Sequence, residues 1–328
     1  MHCAVLVGSK HIKHEERSKP EPKLGEILIK VAYVAICGSD QERYWNPTEV
    51  LERPVVFGHE FSGRVASTNH NDWDFQPDQP VTVAPLLNCG LCEFCRSDRE
   101  NLCINRRRFG FEVDGALQDY VSIQANRVFS LPHGLPIIEG ALVEPLAIAY
   151  RAARLMGFER RGNALVIGAG AIGLLIAQVW KVLGGGPVSI VDIDPARLLI
   201  AKRLGISTIT SESDQLNFTA LFEASGSSSA FSQWIQALAP GGRAIVVGKV
   251  DEEVKLNWVS LIRKEAEIFT SRYFTMDDFR QSIKLLENHM VNVKPLIGKI
   301  VPFEDLFLQQ GRNIMEQAKQ VVRLMVQM

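Results

Sequence analysis

Four cysteines crowd one short stretch of the chain: Cys89-Gly-Leu-Cys92-Glu-Phe-Cys95, followed by Cys103. Thiolates at this spacing close a tetrahedron around zinc and leave no open position, which describes a structural site. In a reducing compartment such neighbours argue for metal ligands over disulfides. Arg96, Arg99 and Arg106–Arg108 flank the stretch, as a nucleic-acid-gripping zinc ribbon would have it, but Asp98 and Glu100 interrupt that patch. A solvated charged lobe is the simpler account. A second set is dispersed: Cys37 in Cys-Gly-Ser-Asp, His59 and Glu60 in Gly-His-Glu, and Glu144 in Leu-Val-Glu-Pro. Taken singly, each has an ordinary explanation. A cysteine at a strand end is usually core, a lone histidine is usually structural, and a glutamate early in a helix serves the helix dipole. Cys3 has no evident partner and reads as a buried strand residue.

A third pattern belongs to a phosphate-bearing ligand. The apolar run Ala164 to Ile167 breaks into Gly168-Ala-Gly170-Ala171-Ile172-Gly173, an apolar helix follows, and the strand Val188 to Val191 ends on Asp192. Strand, glycines, helix, strand and acid in that order form the dinucleotide fingerprint. Gly168 allows the tight turn, Gly170 lets backbone N–H groups approach a pyrophosphate, and Gly173 lets the helix pack on the strand. The helix N-terminus at Ala171 and Ile172 offers positive potential. Asp192, about 20 residues past the glycines, suits a ribose diol and would repel a 2′-phosphate, so NAD is expected over NADP. Arg197 reads as a neighbour of the ribose or pyrophosphate that softens this preference.

The elements that position these residues differ along the chain. Up to about Arg127 short strands alternate with turns, with candidates at Ile27–Ile36, Val55–Ser67, Gln79–Ala84 and Leu117–Ile123. A helix is expected from near Ile137 through Glu144 toward Met156, and alternating α/β units continue to Ser271. Thereafter Thr275–His289 reads as helix, Leu296–Val301 as extended, Phe303–Glu316 as helix and Val321–Gln327 as extended. Ile206–Phe218 is short for a strand plus a full crossover helix, so a short strand and loop are expected there. The length of 328 residues suits two domains, and a net charge of −1 gives no case for nucleic acid or an anionic membrane. The first residues carry too short an apolar run for a signal peptide, so a cytoplasmic protein is expected.

Taken together, the motifs resemble those of the zinc-dependent medium-chain alcohol and polyol dehydrogenases. The likeness runs through nearly the whole chain: Cys37-Gly-Ser-Asp, Gly-His59-Glu-Phe-Ser-Gly, the cysteine lobe, Glu144-Pro-Leu-Ala, the glycine loop, Val-Asp192-Ile-Asp and the closing Lys-Pro-Leu-Ile-Gly-Lys-Ile. It implies an α/β protein: a GroES-like, β-rich catalytic domain plus a Rossmann-type domain with a doubly wound parallel sheet. The domains would be residues 1–145 (with the lobe at 85–104), 146–271, and a return segment 272–328 that completes the first. It further implies about two zinc ions per chain, with Cys37, His59 and Glu144 on an open site. Glu60 would back that metal or replace a ligand, and Ser39 would relay a proton. A metal with three protein ligands keeps a position for a substrate hydroxyl and lowers its pKa, readying hydride transfer to NAD.

The family likeness implies a homodimer or homotetramer acting on a small molecule. Substrate options are a polyol, a sugar-alcohol phosphate, a sugar acid or threonine. Arg43 and Arg272 are candidate contacts for an anionic substrate end, through charge-assisted bonds. A non-catalytic NAD-binding redox sensor would not need the Cys37, His59 and Glu144 set. The chain departs from the family at Asn69–Pro80, which lacks the usual Pro-Gly-Asp turn, at Gly115-Ala116 in place of Gly-Gly, and in the shortened Ile206–Phe218 segment.

Overall fold

The computed structural model describes residues 1–46, 54–69, 74–157, 162–209, 217–250 and 253–328. The chain divides into two compact units, Met1–Glu144 with Ile297–Met328, and Pro145–Leu296.

The first unit is built on the strand Glu26–Ile36, whose sequence EILIKVAYVAI is rich in β-branched and aromatic residues and free of Gly and Pro. One edge of this strand runs against Glu60–Thr68. The other is shared, with Glu26–Lys30 facing Tyr120–Gln124 and Tyr33–Ile36 facing Arg323–Gln327. Bulges at Leu28/Ile29 and Val31/Tyr33 bend the strand and let it serve three partners. The C-terminal strand therefore completes the sheet begun near residue 26, and Ile297–Pro302 lies beyond it as a parallel edge. Val34, Ile36, Phe57, Phe61, Leu117 and Leu324 fill the core.

Several boundaries differ from the sequence expectation. The run Val55–Ser67 is two strands, Val55–Val56 and Glu60–Thr68. The break falls at Gly58, with φ +90°, where a Cβ would lie 2.8 Å from Val34 Cγ1. That turn delivers His59 to the end of the sheet. The stretch Phe303–Glu316 is not one helix: 3₁₀ turns over Phe303–Gly311 are interrupted where Gln309 and Gln310 adopt left-handed φ, before the helix Arg312–Gln320. Local periodicity there is compatible with a helix, and the chain reversal that breaks it has no signal of its own.

The second unit carries a six-stranded, wholly parallel sheet. Its order is Ser207–Ile209, Val188–Val191, Ala164–Ile167, Phe218–Glu223, Leu238–Val246, Glu267–Thr270, which is the doubly wound 3-2-1-4-5-6 arrangement. Ala164–Ile167 is central and buried at every residue, which explains its unbroken apolar run. The strand Ser207–Ile209 occupies the start of the shortened segment; residues 210–216 lie outside the described residues. Residues 272–296 belong to this unit rather than to the first, contrary to the domain boundary expected at 271. The reason is polar as well as topological. Asp278, at the start of the helix Met276–Glu287, is buried and accepts from Arg151 Nη1 at 3.2 Å and Arg154 Nε at 2.9 Å. The side chain of Gln178 likewise pairs with the backbone of Asn292 in both directions. Among the described residues no helix is long and apolar enough to cross a membrane.

Candidate active site

The cysteine lobe brings its four sulfurs together. Cys89 and Cys95 are 3.9 Å apart, Cys92 and Cys95 3.5 Å, and Cys89 and Cys103 3.5 Å. A zinc–sulfur bond of about 2.3 Å gives a tetrahedron with edges of about 3.8 Å, so the donor set fits zinc without rearrangement. Backbone N–H groups of Leu91 and Cys92 hold the Cys89 thiol down at about 6, whereas burial and then Cys92 push Cys95 up to about 12. The Arg-rich flank is tied up locally: Arg108 forks onto Glu112 and Arg99 lies over the Phe94 ring.

The dispersed set is assembled by three sheet ends and one helix. Cys37 ends the strand Glu26–Ile36 and caps the helix Gly38–Trp45; its N–H donates to Asp40 Oδ2 at 2.9 Å. His59 follows the Gly58 turn, and its Nδ1 lies 3.4 Å from Asp40 Oδ1. Glu60 opens the next strand and is fully buried, with Arg323 Nε and Nη2 donating to its two oxygens at 2.9 Å each. One donor atom each from Cys37, His59 and Glu60 falls within 4.8 Å of the others. Glu60 is thus the carboxylate that converges with Cys37 and His59. Glu144 sits in the first turn of the helix Val143–Leu155, buried, with Oε2 lacking a hydrogen-bond partner among the described residues. Burial and then the Glu60 charge push its carboxyl up to about 8, against the pull of His59 and Arg323. Burial opposes a charge on His59, but Asp40 outweighs it and holds the imidazole well above its ordinary value.

Thiol, imidazole and carboxylate donors within 4.8 Å of one another suit zinc, and Glu144 adds a buried carboxylate whose Oε2 has no hydrogen-bond partner among the described residues, so these residues fit the metal. Ser39 is half-buried two residues from Cys37. Arg43 is buried, donates to the Gly110 carbonyl and lies 4.5 Å over the Phe111 ring, whose centroid is 5.5 Å from that of His59. Its guanidinium is thus spent largely on shaping the loop beside His59 rather than held out as a free fork. Arg272 belongs to the second unit, with its guanidinium 5.2 Å over Tyr273.

Asp40, Phe111 and Arg323 escaped the sequence reading. A signal existed for two of them. Asp40 is the helix N3 residue after Cys37, where an acid completes a capping box. Arg323 interrupts an otherwise apolar strand, which marks an inward-facing charge.

In the second unit a cavity of about 740 Å³ opens at the strand ends, lined among others by Gly168, Gly170, Asp192, Arg197, Ser225 and Trp234. Gly168 has φ +99°, and a Cβ on Gly173 would lie 1.9 Å from the Gly168 carbonyl oxygen, so both glycines are required for this turn. Nothing lies within 4 Å of a Cβ on Gly170, which caps the helix Ala171–Val182. The N–H groups of Ala171 and Ile172 are thereby left for a ligand. Asp192 also braces the glycine loop: its Oδ2 accepts from Ala169 N at 2.6 Å and its Oδ1 from Asp194 N at 2.8 Å. Arg197 Nε is 3.4 Å from Asp194 Oδ2.

A doubly wound nucleotide fold joined to a β-rich unit with one closed and one three-donor metal site defines the class of zinc-dependent dehydrogenases. Residues 23–133 match the model of the alcohol dehydrogenase GroES-like domain, and residues 171–288 match that of the zinc-binding dehydrogenases. The sequence is 30% identical to a sorbitol dehydrogenase of Bacillus subtilis (strain 168), over 98% of this chain and 94% of that protein. The chain belongs to the zinc-dependent medium-chain alcohol and polyol dehydrogenase family, enzymes that act on CH–OH donors. Among solved structures it is similar to L-idonate 5-dehydrogenase of Escherichia coli, with TM-score 0.91, 26% identity and coverage of 100% of this chain and 98% of that one. It is also similar to galactitol-1-phosphate dehydrogenase of the same organism, with TM-score 0.89, 25% identity and full coverage of both chains.

Proposed function

We propose that the protein oxidises a secondary hydroxyl of a polyol or sugar-derived alcohol bearing an anionic end, phosphate or carboxylate, with NAD as hydride acceptor. The observation that carries the reaction is the convergence of Cys37, His59 and Glu60, one donor atom of each within 4.8 Å of the others. When bound, zinc supplies Lewis acidity toward the substrate hydroxyl and the nicotinamide accepts the hydride. The chain's own residues do the rest. Cys37 and His59 would hold the metal together with a buried carboxylate, Glu60 or Glu144. Asp40 orients His59 through Nδ1, and Arg323 fixes both oxygens of Glu60. Ser39 passes the hydroxyl proton outward. Asp192 accepts from a ribose diol and disfavours a 2′-phosphate, which selects NAD.

The anionic end is supported by two relatives whose names specify an aldonate and a sugar-alcohol phosphate; Arg272 is proposed as its contact on residue type alone. The test is a panel of polyols, their phosphates, aldonates and threonine with NAD, followed by absorbance of the reduced cofactor. A phosphate or aldonate is expected to show the highest kcat/KM, with Arg272→Ala raising KM for it about tenfold while sparing neutral alcohols. Equal turnover of neutral polyols, with no effect of Arg272→Ala, would leave a plain polyol dehydrogenase.

A further inference from the structure

The C-terminal edge of the parallel sheet holds a buried acid that plays no part in the mechanism above. Glu223 ends the strand Phe218–Glu223, paired with Ile167 on one neighbour and Val246 on the other, and is fully buried. Its Oε1 accepts three hydrogen bonds, from Ser225 N at 2.7 Å, Ser225 Oγ at 2.6 Å and Gly226 N at 2.9 Å. Its backbone carbonyl accepts from Val247 N at 2.9 Å and Gly248 N at 3.0 Å. The other carboxylate oxygen, Oε2, has no hydrogen-bond partner among the described residues. It lies 2.5 Å from the place a Cβ on Gly248 would take, so Gly248 is the residue that leaves it room. A carboxylate buried with one oxygen unmatched is costly, and an apolar residue would fill the strand end at lower cost.

The three N–H and O–H donors gathered by Oε1 belong to the loop after the strand, in which Gly226 has φ +72°. Ala224, Ser225 and Ser227 of that loop line the same cavity as Gly168, Gly170 and Asp192. The loop also touches the glycine turn directly, because a Cβ on Gly168 would lie 2.9 Å from both N and Cα of Ser225. The glycine turn is thus braced from both sides by acids on the strands that flank Ala164–Ile167. Asp192 holds the Ala169 N–H, and Glu223 holds Ser225 against Gly168.

We infer that Glu223 is a positioning residue for the dinucleotide, fixing the Ala224–Ser227 wall of the cavity through Ser225 and Gly226 without touching the ligand. This rests on the NAD reading above. Removal of the carboxyl frees three donors and loosens the wall, so cofactor affinity falls while the chemistry in the other unit is untouched. An amide in its place still offers one oxygen to the same three donors.

The experiment titrates NADH fluorescence and follows steady-state kinetics on the zinc-loaded full chain. Glu223→Ala is expected to weaken NADH binding about tenfold or more and to raise KM for NAD in parallel, with kcat at saturating NAD changed less than about threefold. Glu223→Gln is expected to bind within about threefold of wild type. Gly248→Ala, which drives a Cβ onto Oε2, reproduces the loss and carries the test together with Glu223→Gln should Glu223→Ala not fold. Wild-type NADH binding in Glu223→Ala or in Gly248→Ala overturns the inference, as does a Gln variant as weak as the Ala variant. If the wild-type chain binds no NADH, the nucleotide reading itself is overturned and the inference falls with it.

Discussion

Arg323 and Glu60 form a fork-to-fork pair in which both partners are buried, one on the last strand of the chain and one on the strand after His59. A pair of this kind adds little net stability relative to apolar residues, but taking away one partner strands a charge. Arg323→Ala should therefore lower unfolding stability by about 3–5 kcal/mol in urea titrations, far beyond a surface arginine. Arg323→Lys keeps the charge but loses the planar fork, and an intermediate loss is expected. A loss below about 0.5 kcal/mol for the Ala variant, the range of an exposed pair, would contradict this reading. Asp192 braces the Ala169 N–H and, in the proposed function, also accepts from the ribose. Asp192→Ala should narrow the gap in kcat/KM between NAD and NADP and also weaken both cofactors. If NADP were used as well as NAD by the wild-type chain, the ribose role would be wrong.

At the scale of elements, the long helix Val143–Leu155 bears Glu144 at its start and Arg151 and Arg154 near its end. Those arginines meet Asp278, which also accepts from Thr275 N and Oγ and so completes the capping box of the helix Met276–Glu287. Asp278→Ala removes a helix cap and leaves the half-buried Arg151 without its acid. The expected cost is about 3 kcal/mol, read as a lowered urea midpoint with an unchanged slope. Asp278→Asn should recover part of it by keeping the cap. This tie shows what the sequence withholds. The glycine loop, the cysteine lobe and the central strands were legible because each is fixed by neighbours a few residues away. The boundary near residue 271 was misplaced because Asp278 finds its partners more than 120 residues upstream. That Glu60 converges with Cys37 and His59 depends on where strand ends meet, and no spacing encodes that.

For the molecule as a whole, the two donor sets differ in a way that predicts different responses to metal loss. The cysteine lobe is a closed set of four sulfurs carried on short turns, with Leu91 and Ile104 exposed and little apolar packing of its own. The Cys37, His59 and Glu60 set sits at the end of a sheet with a large apolar core that includes Phe57, Phe61, Val34 and Leu117. Zinc in the lobe should therefore contribute folding energy to the lobe, whereas zinc at the open set should contribute activity. Purified without chelator, the protein is expected to hold about two zinc ions per chain by elemental analysis. Cys37→Ala should leave about one, retain a cooperative thermal transition and lose activity by a factor of about 10³ or more. Cys92→Ser should also leave about one zinc per chain, but with a lowered Tm and new protease cleavage within residues 89–103. Cys37→Ala with full zinc content and full activity would remove the open site from the account. Cys92→Ser with unchanged zinc and an intact lobe would remove the closed one.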